Sequence, residues 1–280
     1  MKIIEPKVEL LSEIGISPES HIARCARVCY GKEYKEPNQE ADKKMVDGLI
    51  KRNHLSMLRH NSAYFVFTNH LPEEFKSEYV NTLSQEDYIY ASTNRQFTLE
   101  HNNKADLNSH VFLNLCRKYP ELFKLYRLTF CITTQISTSR ELNRVSPNNI
   151  AERSTRYCSS KDGLLICRPW WLSSAKEAAF NSHSPINELW YYNNAISKVE
   201  EAYLTLLGQG MKPEDARGIL PLDTATKVIY TYSIREWQHI LDLRYYGTTG
   251  KPHPNAHVVM QMVKDQINNF AKEHNINYQV

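Results

Sequence analysis

The chain has 280 residues, 41% apolar, 23% charged and 11% aromatic, a balance that excludes a disordered chain, a collagen-like chain and a disulfide-stapled miniprotein. The 34 Lys and Arg against 31 Asp and Glu give a net charge of +3, far short of the basic bias of a dedicated nucleic-acid binder, so no nucleic-acid partner is expected. No apolar run approaches the roughly 18 residues of a membrane span, and the start MKIIEPKVELL interrupts any signal-like stretch with acids. The expectation is a cytoplasmic protein without a membrane partner.

The length is compatible with one or two domains. In the absence of repeats, low-complexity tracts or an evident linker, a single domain over residues 1–280 is the economical reading. The six cysteines form no CxxC pair and are expected to be reduced.

His21, Cys25 and Cys29 recur at a spacing that would align them on one helix face. With no source for a fourth ligand, packing is their expected role, and no metal is expected there or at His253 and His257. The period of Met45, Val46, Leu49 and Ile50 predicts a helix over 38–53. Ser62–His70 and Leu128–Ile136, short, aromatic and β-branched, predict strands, and LLICRPW predicts a third. Helical patterns near 72–85 and 105–126 predict that helices join the first two strands. The stripe Ile186, Leu189, Trp190, Ile196, Val199, Tyr203, Leu206 and Leu207 predicts a long helix ending near Gly208 and Gly210, PEDARGIL opens another at its proline, and a last one is expected over 254–273. The fold class expected is α+β.

The segment SRELNRVSPNNIAERSTRYC, 139–158, gathers Arg140, Arg144, Arg153 and Arg156 around two acids and lacks apolar periodicity over its middle. Read by itself it is a basic loop that cannot form a core, with the arginine forks and hydroxyls that recognise phosphate or carboxylate, Ser154, Arg156 and Tyr157 foremost.

This segment resembles the signature of the flavin-dependent thymidylate synthases, an Arg-His-Arg triplet, seven residues, then Ser-x-Arg-Tyr; here the positions read Arg144, Val145, Ser146 and Ser154, Thr155, Arg156, Tyr157. ARVCYG at 26–31, HLSMLRHNSAYFVF at 54–67, ARGILPL at 216–222 and SIREWQHILDLR at 233–244 resemble further blocks of the family in the same order.

The resemblance implies an α+β fold with a central mixed or antiparallel sheet and flanking helices, assembled as a homotetramer with shared active sites. It also implies reductive methylation of dUMP to dTMP, with FAD as cofactor and methylenetetrahydrofolate and NADPH as co-substrates. By the same resemblance Glu141, Arg144, Glu152, Arg153, Ser154, Arg156, Tyr157, Arg217 and Arg244 are substrate-binding positions. Arg244 is the catalytic one, a fixed cation against the pyrimidine that stabilises charge as C5 attacks. His54, Ser56, Arg59, Arg144, Ser233, Arg235 and His239 fall at or near cofactor positions.

Val145 and Ser146 stand where the family has histidine and a second arginine, Arg59 where glutamate is usual, and Ser233 where asparagine is usual. On this pattern Arg59 is expected to take over a flavin contact. If flavin contacts were simply lost, Val145→His with Ser146→Arg should improve flavin binding. The alternative functions are methylation or hydroxymethylation of another pyrimidine nucleotide, or a noncatalytic nucleotide-binding homologue.

Overall fold

The computed structural model describes residues 1–32, 36–145, 147–156, 162–173 and 188–280. A four-stranded antiparallel sheet is built from β2 (Lys7–Leu10), β6 (Arg127–Gln135), β9 (Ala225–Ser233) and β7 (Ile150–Glu152), in the order β2-β6-β9-β7. β6 is buried over its whole length. Both its faces are covered, so its nine residues read as a run rather than an alternation.

One face carries Phe130, Ile132, Val228 and Tyr230, against which helix α9 (Pro254–Glu273) lays Val259, Met260, Val263 and Ile267. Each such side chain fully buried is worth about 1.5 to 3 kcal/mol, and this face is the main core. The other face carries Cys131, Ala151 and Ile229, covered by Cys25 of α1 (Pro18–Cys29), whose start is fixed by Pro18 and a Ser17 cap. α2 (Gln39–Lys51), capped by Asn38, packs on α1 and agrees with the predicted helix to within two residues.

A three-stranded antiparallel sheet, β3 (Ser62–Phe67), β5 (Tyr88–Asn94) and β4 (Asn81–Gln85), sits beside the first. It corrects the helix expected near 72–85: that stretch holds only a 3-10 turn, Glu73–Phe75, followed by β4. β4 and β5 form a hairpin around Glu86 and Asp87, with Glu86 at φ 53°. No glycine advertises this turn. Helices α3 (Arg95–Glu100) and α4 (Ser109–Lys118), capped by Asn94 and Asn108, and a 3-10 turn, Pro120–Leu125, complete the passage to β6.

A parallel pair, β1 (Lys2–Ile4) with β8 (Leu165–Cys167), makes the strand content mixed. α5 (Ile136–Leu142) follows β6 directly. α6 (Glu188–Gly208) buries Leu189, Ile196 and Tyr203, a narrower stripe than expected, with Trp190 exposed; Ile186 lies outside the described residues. Then come α7 (Pro213–Ala216) and α8 (Ile234–Leu241). Among the described residues no helix is long and apolar enough to cross a membrane.

A chain of buried polar groups crosses the layer between α1 and the sheet. Arg24 Nη2 lies 2.6 Å from His21 Nδ1, and a guanidinium only donates, so His21 carries its proton on Nε2, 3.2 Å from Thr129 Oγ1. Thr129 and Thr231 share a hydrogen bond of 2.8 Å, and Thr231 Oγ1 lies 2.8 Å from His60 Nδ1. Burial holds His21 well below the usual histidine range and lowers His60 to about 3, with the neighbouring guanidinium charges adding to both shifts. Glu13, buried next to His21, accepts from the Ser62 and Ser109 hydroxyls at 2.8 and 2.9 Å, and desolvation raises its carboxyl. His21 thus serves this network, and its helix neighbour Cys25 is packed in the core with its thiol pushed up by burial. Among the described residues no group of three ligand-type side chains could hold a metal.

Candidate active site

The junction of β6 and α5 is tied in place by Gln135. Its Oε1 accepts from Thr134 Oγ1 at 3.0 Å and Thr138 Oγ1 at 2.8 Å, and its Nε2 donates to the Arg168 carbonyl at 2.9 Å. The first turns of α5 then present Ser139 and Arg140. Ser139 Oγ donates to Glu152 Oε1 at 3.1 Å, and Thr226 Oγ1 donates to the same oxygen at 2.9 Å. Glu152 ends the edge strand β7, so one carboxylate links α5, β7 and β9.

Beyond it the backbone stays tethered. Arg153 N donates to the Lys227 carbonyl at 2.8 Å and Ser154 N to the Cys29 carbonyl at 3.0 Å. Ser154 Oγ accepts from Arg156 N at 3.2 Å, which closes the turn. From the far side Arg217 donates from Nη1 to Thr155 Oγ1 at 3.2 Å and from Nε to the Glu214 carbonyl at 3.1 Å.

These groups wall a cleft of about 680 Å³, lined by Arg140, Arg153 and Arg217 against the carboxylate of Glu152, with Ser154 and Thr155 as hydroxyl donors. The volume lies within the ordinary range of small-molecule sites and the charge favours an anion. Arg156, next in the chain after the cleft's Thr155, makes an exposed ion pair, Nη2 to Glu214 Oε2 at 3.4 Å. A pair so exposed is worth at most about 1 kcal/mol, so an incoming phosphate can displace Glu214.

Of the expected substrate residues, the structure brings Glu152, Arg153, Ser154 and Arg217 into this cleft. Arg244 and Glu141 meet next to it: Arg244 Nε donates to the Glu141 carbonyl, the last turn of α5, at 2.9 Å. Arg244 sits on a π-helical turn, Asp242–Tyr246, a widening often found at functional sites. Gly247 closes that turn at φ 70°, where an added Cβ would meet the Gly250 carbonyl oxygen and Pro252 Cδ at 3.0 Å each. Arg144 is exposed just past α5. Tyr157 and Ser146 lie outside the described residues. The sequence singled out Arg140 only as one of a basic cluster and gave Ser139 and Thr155 no role; the signal available was their place in the same polar stretch.

The flavin positions divide in two. His54 and Ser56 are exposed at the start of the 3-10 turn Leu55–His60, and Arg235 and His239 are exposed one helical turn apart on α8. Ser233 is fully buried and caps α8, its Oγ accepting from Glu236 N at 3.2 Å while its own N–H donates to Glu236 Oε2 at 2.7 Å. Arg59 is engaged within the protein: Nε donates to Gln96 Oε1 at 2.7 Å, Nη1 to the Asn148 carbonyl at 3.0 Å, and the guanidinium lies 5.6 Å from the Tyr79 ring centroid.

One expectation is overturned. The stretch 139–158 does contribute to the core, for Leu142 and Val145 pack in the main cluster and Ala151 in the one beneath α1. Helix and strand take turns too short for a period to show in the sequence.

Comparison with known proteins bears on this arrangement. Two solved structures of the Streptomyces cacaoi UMP/dUMP methylase PolB, one with 5-Br dUMP and one with 5-Br UMP, align with TM-scores of 0.46 and 0.44 at 16% identity, covering 97% and 98% of this chain and 93% of theirs. Flavin-dependent thymidylate synthases align in part: that of Synechocystis sp. is 26% identical over 54% of this chain and 73% of its own length, and that of Haloarcula marismortui 31% identical over 27% and 31%. The Halobacterium salinarum enzyme is 40% identical over 19% of this chain, which spans only 22% of that relative. The family described as thymidylate synthase complementing protein matches residues 77–271, which include α5, the cleft and the Arg244 turn, and the chain belongs to that family.

Proposed function

We propose that the protein converts dUMP to dTMP by reductive methylation, taking the carbon from methylenetetrahydrofolate and reducing equivalents from NADPH through FAD, in the cytoplasm. The observation that carries this reading is the meeting of Glu152 and Ser154, at the end of β7 and just past it, with Arg217 of a distant turn in one cationic cleft, while Arg244 bonds the end of α5, whose Arg140 lines that cleft. Ser154, Arg217 and Arg156 hold the phosphate, and Glu152 fixes the wall through Ser139 and Thr226. Arg244, its Nε spent on the Glu141 carbonyl, keeps guanidinium donors for the pyrimidine, where it would stabilise negative charge as C5 attacks.

FAD when bound supplies the hydride. The donors present suit its anionic pyrophosphate: the side chains of His54, Arg144, Arg235 and His239 are exposed and make no hydrogen bond or ion pair among the described residues. Ser233 offers no exposed hydroxyl. A homotetramer with sites shared between protomers completes this reading.

Calorimetry with dUMP and UMP, followed by a dTMP-forming assay, is the test. Arg156→Ala, losing a charge-assisted hydrogen bond of about 1.5 to 3 kcal/mol, should weaken nucleotide binding roughly ten- to a hundredfold. Wild-type protein that binds neither nucleotide overturns the assignment. The core position of Val145 and the internal bonds of Arg59 favour a second reading, a nucleotide-binding homologue without flavin chemistry or one with a changed pyrimidine product. Protein that binds dUMP yet purifies colourless and takes up no FAD selects its noncatalytic form; flavin-dependent turnover of another pyrimidine nucleotide selects the other.

A further inference from the structure

On the α1 side of the four-stranded sheet, residues in register form rows. Glu9, Cys131 and Ile229 make one row, and Lys7, Thr133 and Lys227 the next. α1 covers part of the first row through Cys25. Past the end of α1 the sheet stays open as a cleft of about 540 Å³. Its floor is apolar: Leu11, Val28, Cys131, Leu165 and Ile229. Burial pushes the Cys131 thiol up to about 11, so near neutral pH it adds apolar surface and no negative charge.

The rim has the opposite character. Lys32, Arg153 and Lys227 line it, and their side chains make no hydrogen bond or ion pair among the described residues. The one carboxylate, Glu9, is engaged by Lys7 Nζ at 2.7 Å. Arg24 adds a fourth positive charge, although its guanidinium is already bonded to the Ser12 carbonyl and His21. Lys227 is half-buried on β9 and makes no ion pair among the described residues.

We propose that this cleft is a second ligand site, distinct from the nucleotide cleft, for a small organic anion with a flat apolar body. The body lies on Cys131, Ile229 and Val28, and the carboxylate or phosphate meets Lys32, Arg153 and Lys227. Arg153 lines both clefts, so an occupant here stands beside the wall of the nucleotide site.

The test uses 1-anilinonaphthalene-8-sulfonate, an aromatic anion whose fluorescence rises in apolar surroundings, titrated into the full chain. One probe per chain is expected to bind, with saturating dUMP leaving it in place. Lys227→Gln and Lys32→Glu should each weaken the probe about fivefold or more, whereas Lys272→Glu, an exposed charge at the far end of α9, should not. Lys32 is exposed, so its variant serves if Lys227→Gln does not fold. Displacement by 4-hydroxybenzoate identifies a carboxylate site and displacement by phenyl phosphate a phosphate site. Unchanged binding in both rim variants, displacement by dUMP, or displacement by neither aryl anion overturns the proposal. Calorimetry with dUMP on the same variants keeps its failure separate from failure of the nucleotide assignment.

Discussion

Replacing Val145 by histidine, the residue the motif resemblance expects there, would place an imidazole in the cluster that holds Leu142 and Tyr230. A polar group buried without a partner costs about 1 to 3 kcal/mol, so Val145→His should lower the midpoint of thermal unfolding by several degrees. FAD affinity should not rise, unlike the gain expected of the double replacement if flavin contacts were simply lost; calorimetric unfolding and a fluorescence titration of FAD check both halves. Arg59 calls for a similar revision. Two of its nitrogens hold Gln96 and the Asn148 carbonyl, so it braces the 3-10 turn against the loop leading into β7 and the nucleotide cleft. Arg59→Glu replaces those donors with a repelled carboxylate, and it should weaken dUMP binding along with any flavin binding. Loss of flavin alone, with dUMP affinity intact, would return Arg59 to the cofactor.

At the scale of elements, buried histidines set the acid limit of the fold. His21 and His60 stay neutral in the folded chain, with pKa values below the unfolded value near 6.5. The unfolded chain therefore binds more protons once the pH drops below about 6.5, and stability falls with it, by about 2 kcal/mol for His60 at pH 5, with His21 adding in the same direction. Glu13 opposes this, since its raised carboxyl takes up a proton in the folded state first as the pH falls toward 4.5. Denaturant unfolding at pH 7 and pH 5 should show the loss, and His60→Gln should flatten the dependence.

α2 and α9 were legible from their single apolar stripes almost to the residue, and β3 and β6, covered on both faces, from their β-branched and aromatic content. β9, the partner of β6 and equally central, was not read although its VIYTY carries the same β-branched and aromatic content. β4 and β5 escaped because their turn uses Glu86 in a left-handed conformation that favours glycine or asparagine. β7 is three residues long, too short for any period.

On the scale of the whole molecule, the site draws on segments that sequence order keeps apart: α5, the end of β7, the Arg217 turn and the Arg244 turn. The similarity of motifs named Glu152, Ser154, Arg217 and Arg244; the fold brings the first three into one cleft, where the Glu152 carboxylate ties α5 to β9, and holds Arg244 to the end of α5 through the Glu141 carbonyl. What the sequence could not show was direction. Val145 turns inward, Arg59 sideways and Ser233 into a helix cap, and no spacing rule separates these from the outward course of Arg235 and His239.

β3 alternates between two cores. Tyr64 stacks on Phe112 at 4.2 Å in the main one, and its hydroxyl accepts from Arg127 N at 3.0 Å. Phe65, on the opposite side, meets Phe75 at 4.7 Å in the small cluster of the β3-β5-β4 sheet. The smaller sheet is therefore not an appendage that melts early: releasing Phe65 loosens the strand that also carries Tyr64. Amide exchange under native conditions should show β3 and β5 opening together with β6, at the free energy of global unfolding, and a separate low-energy opening of β3 would mean that the two cores are uncoupled.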